Sequence, residues 1–261
     1  AFTKEENLFL KHGVRFLNPH LSMGEPALFE RQMYALGSKL FGLDKKENRE
    51  AMDSGYRALR DHADSLRQKG RDILRRIEQE GKVGLVVLGR PYHNDPGLNH
   101  DILSEIQKYG YPIFTIDSLP LDADLLENLF GPEIRSGEIR DPLEIADVWE
   151  SSYSENTNKK LWGAKYVARH PNLVAVDLSN FRCGHDAPVY SVVEEILAAT
   201  GTAYFTFHDI DENKPSGSIK IRTETIHYFL QRYEEELKLG RLIPSDKEFA
   251  VSLPETEICR F

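Results

Sequence analysis

Apolar positions in the first third of the chain are spaced for helices. Pro26 suits the first turn of one helix, and Gly42 suits its end. Across residues 44–80, apolar side chains recur in alternating steps of four and three, which places them on one stripe of a long helix. These positions are Met52, Tyr56, Leu59, Ala63, Leu66, Gly70, Ile73 and Ile77. Gly70 should weaken this helix by ~1 kcal/mol relative to Ala. The spacing also permits a coiled coil, although packing within its own domain suits this length better.

From residue 83 the pattern changes to short apolar runs separated by helical periods. VGLVVLG is a continuous apolar run, as expected of a strand buried on both faces. YPIFTI, NLVAVDL and AYFTF are predicted as three further strands, with helices between or after them. This alternation predicts a parallel sheet with right-handed crossovers. The predicted fold class is therefore α/β, a doubly wound (flavodoxin- or Rossmann-like) short parallel sheet with an N-terminal helical segment. In the flavodoxin-like order 2-1-3-4, the first and third strands would be neighbours.

The same patterns predict three parts. Residues 1–82 form a helical segment that packs on the sheet domain, residues 83–240 form the doubly wound domain, and residues 241–261 are a tail or a linker to a missing domain. The stretch 117–156 is too long for a simple connection. We expect it to be an insertion over the carboxyl edge of the sheet, with a short helix in LDADLLENLF and polar turns after it. Because the chain opens at Ala1 without Met and stops at ICRF, we expect a fragment of a larger protein.

Composition excludes several classes of function. The net charge of −9, with 33 basic residues, argues against a nucleic-acid surface. No apolar run approaches the ~18 residues of a membrane span, and no signal peptide opens the chain. The two cysteines, Cys183 and Cys259, are too few for a disulfide scaffold. We therefore expect a cytoplasmic protein that binds neither nucleic acid nor membrane.

The loop GRPYHNDPG is the first candidate for chemistry. Ligands of doubly wound sheets bind beyond the carboxyl ends of the strands, near the point where strand order reverses. Asp95 is predicted to cap the helix that follows, with Pro96 at its first position. Free N–H groups and a guanidinium there suit a phosphate or carboxylate. The predicted ligand-binding residues are Arg90, Tyr92, His93, Asn94 and Gly97. The alternative is a tight turn with its arginine in a salt bridge, since the loop is neither GxGxxG nor a Walker A sequence.

The loop SNFRCGHDAP is the second candidate. Cys183 precedes a helix whose predicted cap is Asp186, so the helix dipole and Arg182 should lower its pKa and favour the thiolate. A thiolate ligates metal, and Cys183 is the predicted metal-binding residue. The alternative is a half-buried cysteine beside a turn glycine. His93 and His185 would lie near the same crevice, which leaves a zinc site open as well.

The loop FHDIDENKPSGS is the third candidate. Its ionisable side chains could bind a cation, although acidic loops are usually only solvated. They are His208, Asp209, Asp211 and Glu212. Lys220 and Arg222 in the first turn of the following helix oppose the helix dipole, which suggests an anionic partner nearby.

Long stretches around these loops resemble a known family. GRPYHNDPGLNHDI, followed by a strand and DSLP, is similar to the region of unassigned function in large fused activator proteins related to 2-hydroxyacyl-CoA (2-hydroxyglutaryl-CoA) dehydratase activators. PNLVAVDLSNFRCGHDAPVYSVVEEIL and DIDENKPSGSIKIRTETIHYFL resemble the same proteins and one domain of the dehydratase subunits. The likeness runs from about Phe16 to about Tyr233.

The resemblance implies a redox system. Such proteins join ATPase modules to dehydratase-like modules with iron–sulfur clusters, and ATP hydrolysis drives a low-potential electron into the dehydratase-like part. The cysteine of the FxCG stretch, a cluster ligand in the family, maps onto Cys183. Here Gly184-His185-Asp186 stands where Gly-Pro-Asp is expected. The other ligands should lie outside this chain, and no phosphate-binding loop for ATP is visible.

The predicted function is therefore a dehydratase-like redox domain that contributes Cys183 to an iron–sulfur cluster or substrate crevice completed by other domains. No cluster and no ATP hydrolysis are expected in this chain alone. The expected partners are ATPase and dehydratase-like modules of the same polypeptide, with acyl-CoA as a candidate ligand. Two alternatives stay open: a non-catalytic scaffold that docks ATPase and reductase modules, and a binder of a small anionic ligand at Arg90.

Overall fold

The structure is a computed structural model that describes residues 8–179, 184, 186–208, 210 and 216–240. Its contacts divide the chain into two compact units, residues 1–62 and 63–261. The helices of the first part of the chain are α1 (Leu8–Lys11), α2 (Pro26–Phe41) and α3 (Lys45–Glu80), and α3 runs from one unit into the other. The predicted domain boundary at residue 82 follows the end of α3 and stays a prediction.

Both ends of α2 and the start of α3 follow from local sequence. Helix α2 starts at Pro26 and ends at Gly42, whose φ of 70° is the left-handed conformation that glycine adopts readily. Helix α3 opens with a capping box. The Asp44 carboxylate accepts from the Glu47 N–H at 2.8 Å, and the Glu47 carboxylate accepts from the Asp44 N–H at 2.9 Å. The predicted long helix is therefore confirmed.

The second unit is built on a four-stranded, all-parallel sheet. Its strands are β1 (Gly84–Val87), β2 (Ile113–Thr115), β3 (Leu173–Leu178) and β4 (Tyr204–Phe207), in the order β2-β1-β3-β4. The other helices are α4 (Ile102–Gln107), α5 (Ala123–Ser136), α6 (Glu155–Arg169), α7 (Tyr190–Ala199) and α8 (Ser216–Lys238). The predicted α/β fold is confirmed, and the strand order is the flavodoxin-like one. No helix in the described part of the chain is long and apolar enough to span a membrane.

Helices cover both faces of this sheet, as a doubly wound fold requires. On one face, the end of α3 packs with α5, α6 and α7 against alternate strand residues such as Val86 and Ala175. On the other face, α4 and α8 pack against Leu85 and Val176. Because side chains alternate between faces along a strand, every second residue of β3 points towards α6 and α7.

Three details differ from the sequence-based expectations. Helix α4 begins only at Ile102, after a stretch of turns. Helix α5 continues through Pro132, which was expected in a turn. The segment between β2 and α6 also packs along α6: the Lys165 ammonium donates to the Glu144 carbonyl, and the Arg169 guanidinium donates to the Glu133 carboxylate. These buried charges on α6 were not apparent from the apolar pattern.

Candidate functional site

The loops after β1 and β3 meet where the strand order reverses. The chain leaves β1 towards β2 on one side, while β3 lies on the other, so a crevice opens between their carboxyl ends. Two contacts bridge this point. The Arg90 guanidinium donates to Asp186 Oδ1 at 2.9 Å, and the Ser179 hydroxyl donates to Asp186 Oδ2 at 3.0 Å. Arg90 follows β1, whereas Ser179 directly follows β3, so Asp186 holds both strand ends.

A second buried carboxylate lies in β3, two residues before Ser179. Asp177 occupies β3 and points towards α6 and α7, and its side chain is fully buried. Its Oδ1 accepts from the Lys160 ammonium at 2.6 Å. Its Oδ2 accepts from the Tyr204 hydroxyl at 3.0 Å and lies 3.0 Å from His208 Nε2. Asp177 thus orients a lysine, a tyrosine and a histidine that come from three different elements.

Tyr190 joins the contacts of the two carboxylates into one network. Its hydroxyl donates to Ser179 Oγ at 2.6 Å. Its ring stacks on the His208 imidazole with centroids 3.9 Å apart, and the Lys160 ammonium lies 5.2 Å from the ring centre. Buried polar groups of this kind are stable only when their hydrogen bonds are made. The network therefore fixes the carboxyl ends of β1, β3 and β4 relative to each other.

The charges of the network balance. Arg90 and Lys160 offset Asp177 and Asp186, so two cations face two carboxylates in a buried space. Burial alone would raise the pKa of Asp186, but the nearby Lys160 charge and the Arg90 hydrogen bond outweigh it and hold the pKa below its usual value. Burial, together with the Asp177 charge, raises the pKa of Tyr204. Tyr204 therefore stays a neutral hydrogen-bond donor.

The five predicted ligand-binding residues differ in burial: two are largely buried and three are exposed. Arg90 lies in a buried salt bridge, which is the structural alternative considered for it. His93 is also buried, and its Nδ1 accepts from the Arg90 N–H at 3.1 Å. The remaining three, Tyr92, Asn94 and Gly97, are exposed. Whether these five residues bind a ligand stays a prediction.

The predicted helix start at this loop is wrong. Asp95 does not cap α4, because that helix begins at Ile102; its carboxylate instead accepts from the Leu98 N–H in a turn, at 3.1 Å. Gly97 therefore does not present the N-terminus of a helix. Asn94 borders a cleft of only ≈ 20 Å³ between the ends of β1 and β2, which is room for about one water molecule.

The second and third loops fall mostly outside the described residues. Cys183, Arg182 and His185 lie there, as do Asp209, Asp211, Glu212 and Cys259. Asp186 is described, and it does not cap a helix with its side chain as predicted, because its carboxylate is engaged by Arg90 and Ser179. Within the described residues, no group of three or more His, Cys, Asp or Glu side chains could hold a metal ion. Whether Cys183 binds a metal stays a prediction.

Sequence reasoning missed the centre of the network. The sequence analysis did not single out Asp177 or Lys160. The carboxylate inside the apolar run NLVAVDL could have indicated a buried ion pair, because a charge buried in a central strand needs a partner. His208 was considered only as a surface ligand of a cation. The structure instead places its ring against Tyr190 and Asp177, with the side chain about a quarter exposed at 26%.

His93 should make stability depend on pH. Burial lowers its pKa, and its Nδ1 lone pair is already used by Arg90. The unfolded chain takes up the proton near the ordinary value of about 6.5, whereas the folded protein does so only at lower pH. The stability that His93 contributes is therefore complete above about pH 6.5 and is lost as pH falls through its folded pKa. Urea unfolding between pH 5 and 8 should show a weaker pH dependence for His93→Gln than for the wild type.

The exposed His62 provides the control for the substitution itself. A His62→Gln variant should unfold like the wild type at neutral pH, because surface substitutions usually change stability by less than about 0.5 kcal/mol. An unchanged profile in His93→Gln would contradict the buried, neutral imidazole that the structure shows.

Comparison with known proteins relates part of the chain to one family. Residues 3–119 match the family described as the CoA enzyme activase uncharacterised domain. The match covers α1, α2, α3, β1, α4 and β2 as well as the loop that carries Arg90. No curated protein and no solved structure matches the chain. The predicted relation to the dehydratase activators is supported by this match.

Proposed function

We propose that this chain, whose residues 3–119 match the CoA enzyme activase uncharacterised domain, is a dehydratase-like domain of a larger activator-type protein. In this proposal it contributes Cys183 to an iron–sulfur cluster or acyl-CoA crevice that ATPase and dehydratase-like modules of the same polypeptide complete. ATP is used by those other modules. One observation carries the proposal: the hydrogen bond of Ser179 to Asp186 at 3.0 Å, at the point where strand order reverses.

This contact matters because of where its two residues stand in the chain. Ser179 and Asp186 flank the six residues 180–185, which include Cys183. The hydrogen bond joins the two residues that flank this segment, and Arg90 links Asp186 to the end of β1. Sites that must present a ligand with fixed geometry are supported by residues that are themselves held by packing and hydrogen bonds. The buried network meets that requirement at the crevice where doubly wound folds bind their ligands.

The reactivity of Cys183 tests the proposal. At near-neutral pH, Cys183 should react with iodoacetamide faster than Cys259, because Arg182 and the following helix favour its thiolate. Peptide mass spectrometry after short labelling times would give both rates in one sample, so that Cys259 serves as the internal control. The chain alone should stay colourless after anaerobic iron–sulfur reconstitution, because one thiolate cannot hold a cluster that needs several.

The longer protein that includes the other modules gives the decisive comparison. Its iron and sulfide content should fall in Cys183→Ala and remain unchanged in Cys259→Ala. If Cys183 reacts no faster than Cys259, and its replacement leaves the cluster of the longer protein intact, the redox role is excluded and Cys183 is structural.

A second candidate function has an observation of its own. Ile221 and Tyr228 are 66% and 64% exposed and stand seven residues apart on α8, which places them on one face, with Phe229 beside them. Exposed apolar side chains grouped in this way are typical of docking surfaces. A non-catalytic scaffold that docks ATPase and reductase modules would use such a face. The third alternative, an anion site at Arg90, is less favoured, because the guanidinium already donates to Asp186.

A further inference from the structure

A larger cleft lies beside β2, away from the buried network. It has a volume of ≈ 210 Å³ and opens between the residues that follow β2, α3 at Arg67 and the first turns of α6. Its walls are mainly apolar and include Leu119 and Trp162, which are themselves buried. Leu143, at 50% exposure, lies at its mouth. The cleft therefore combines a fixed apolar interior with access from solvent.

The size of the cleft suits a small ring or branched chain. An apolar cavity of about 150 Å³ is enough to bind benzene in a protein core. At ≈ 210 Å³, this cleft exceeds that volume. Apolar walls with a few polar groups are the usual composition of small-molecule sites.

The charges at the cleft favour a neutral ligand. Lys159 borders it, but its ammonium lies between two carboxylates, 3.2 Å from Asp117 and 3.1 Å from Glu155. Arg67 also borders it and lies 3.9 Å from Asp64. Each cation is thus offset by at least one carboxylate. The four charged side chains of the lining are Arg67, Asp117, Glu155 and Lys159, and their charges sum to zero.

One polar group of the lining is unsatisfied. Asn158 borders the cleft, and its Oδ1 is buried without a hydrogen-bond donor among the described residues. A buried acceptor without a partner is unfavourable. A donor carried by a ligand in the cleft would give this acceptor the partner it lacks.

We propose that the cleft lined by Leu119, Asn158 and Trp162 is a binding site for a small, neutral, apolar ligand that carries one N–H or O–H donor for Asn158. The proposal does not rest on the function proposed above. It concerns a different part of the sheet edge, next to β2 and α6, and it can be tested on this chain alone.

Indole and benzofuran form a matched pair of probes, because they share shape and apolar area but only indole carries an N–H donor. Calorimetry with the wild-type chain should show indole binding about three- to tenfold more tightly than benzofuran, the range expected for one net hydrogen bond. In Asn158→Leu the two probes should bind equally, while benzofuran keeps its affinity.

The NMR signal of the Trp162 Nε1–H should shift on addition of either probe. Since the chain has two tryptophans, Trp149→Phe assigns that signal.

A variant at the mouth locates the site. Leu143→Trp should obstruct the cleft and weaken binding of both probes at least tenfold, whereas Leu98→Trp, at a position of similar exposure (53%) that does not border the cleft, should leave binding unchanged. Equal affinities of the two probes for the wild type would overturn the role of Asn158. Absence of binding and of any shift at Trp162 at millimolar probe would overturn the site itself.

Discussion

Replacing Lys160 by Met should destabilise the second unit by about 3–5 kcal/mol, the loss typical of breaking a buried ion pair. The ammonium is 3% exposed and lies 2.6 Å from a carboxylate that is fully buried. Without it, Asp177 would remain in the core as an uncompensated charge, with Tyr204 and His208 as its remaining side-chain partners among the described residues. Urea unfolding followed by tryptophan fluorescence measures the loss.

The neighbouring lysine provides a matched control. Lys159 also forms ion pairs, but its side chain is 44% exposed. Lys159→Met should therefore cost less than about 1 kcal/mol. The double variant Lys160→Met/Asp177→Asn should recover part of the loss, because the uncompensated carboxylate is removed. If Lys160→Met costs no more than Lys159→Met, the buried pair does not hold the network together.

The sheet was predictable because its two central strands are buried on both faces. β1 and β3 have no exposed position, so nothing interrupts their apolar runs, and the alternation with helices implied that the strands are parallel. The start of α4 was not predictable in the same way. Asp95 and Pro96 have the residue types of a helix start, but they begin a series of turns, since the same residue types also favour turns.

The candidate site was predictable only as a location. The switch point and the loops beside it follow from strand order, whereas the partners of each polar residue depend on contacts between distant parts of the chain. Lys160 and Asp177 are 17 residues apart, and Arg90 and Asp186 are 96 apart. No local pattern joins such pairs. A single sequence shows only that Asp177 needs a partner, not which residue supplies it.

Gly70 illustrates how packing can reverse an expectation from helix propensity. In the sequence it appears as a weak point of α3 by ~1 kcal/mol. In the structure, a Cβ at this position would lie 1.8 Å from the Ser118 carbonyl oxygen, which belongs to the backbone of the turn after β2. The absence of a side chain therefore allows α3 to approach the end of β2 closely. The close contact between α3 and the turn after β2 requires glycine at position 70, whereas the helix itself does not.

Gly70→Ala should consequently destabilise the protein, although alanine is the better helix former. Relieving the clash requires α3 and the segment Ile116–Ser118 to move apart, and overpacking of this kind typically costs about 1–3 kcal/mol, occasionally more. Since a contact of 1.8 Å involves backbone that cannot rotate away, we expect a cost above this range before the helix gain, and a net loss of more than about 2 kcal/mol after it. Urea unfolding at neutral pH measures the change.

Gly55 is the control because it lies in the same helix with open space around its Cβ position. Gly55→Ala should stabilise α3 by up to about 1 kcal/mol, since only the helix propensity changes there. The same substitution at two positions of one helix should thus have opposite signs. Stabilisation by both variants would show that α3 and the end of β2 are not in the close contact that the structure describes.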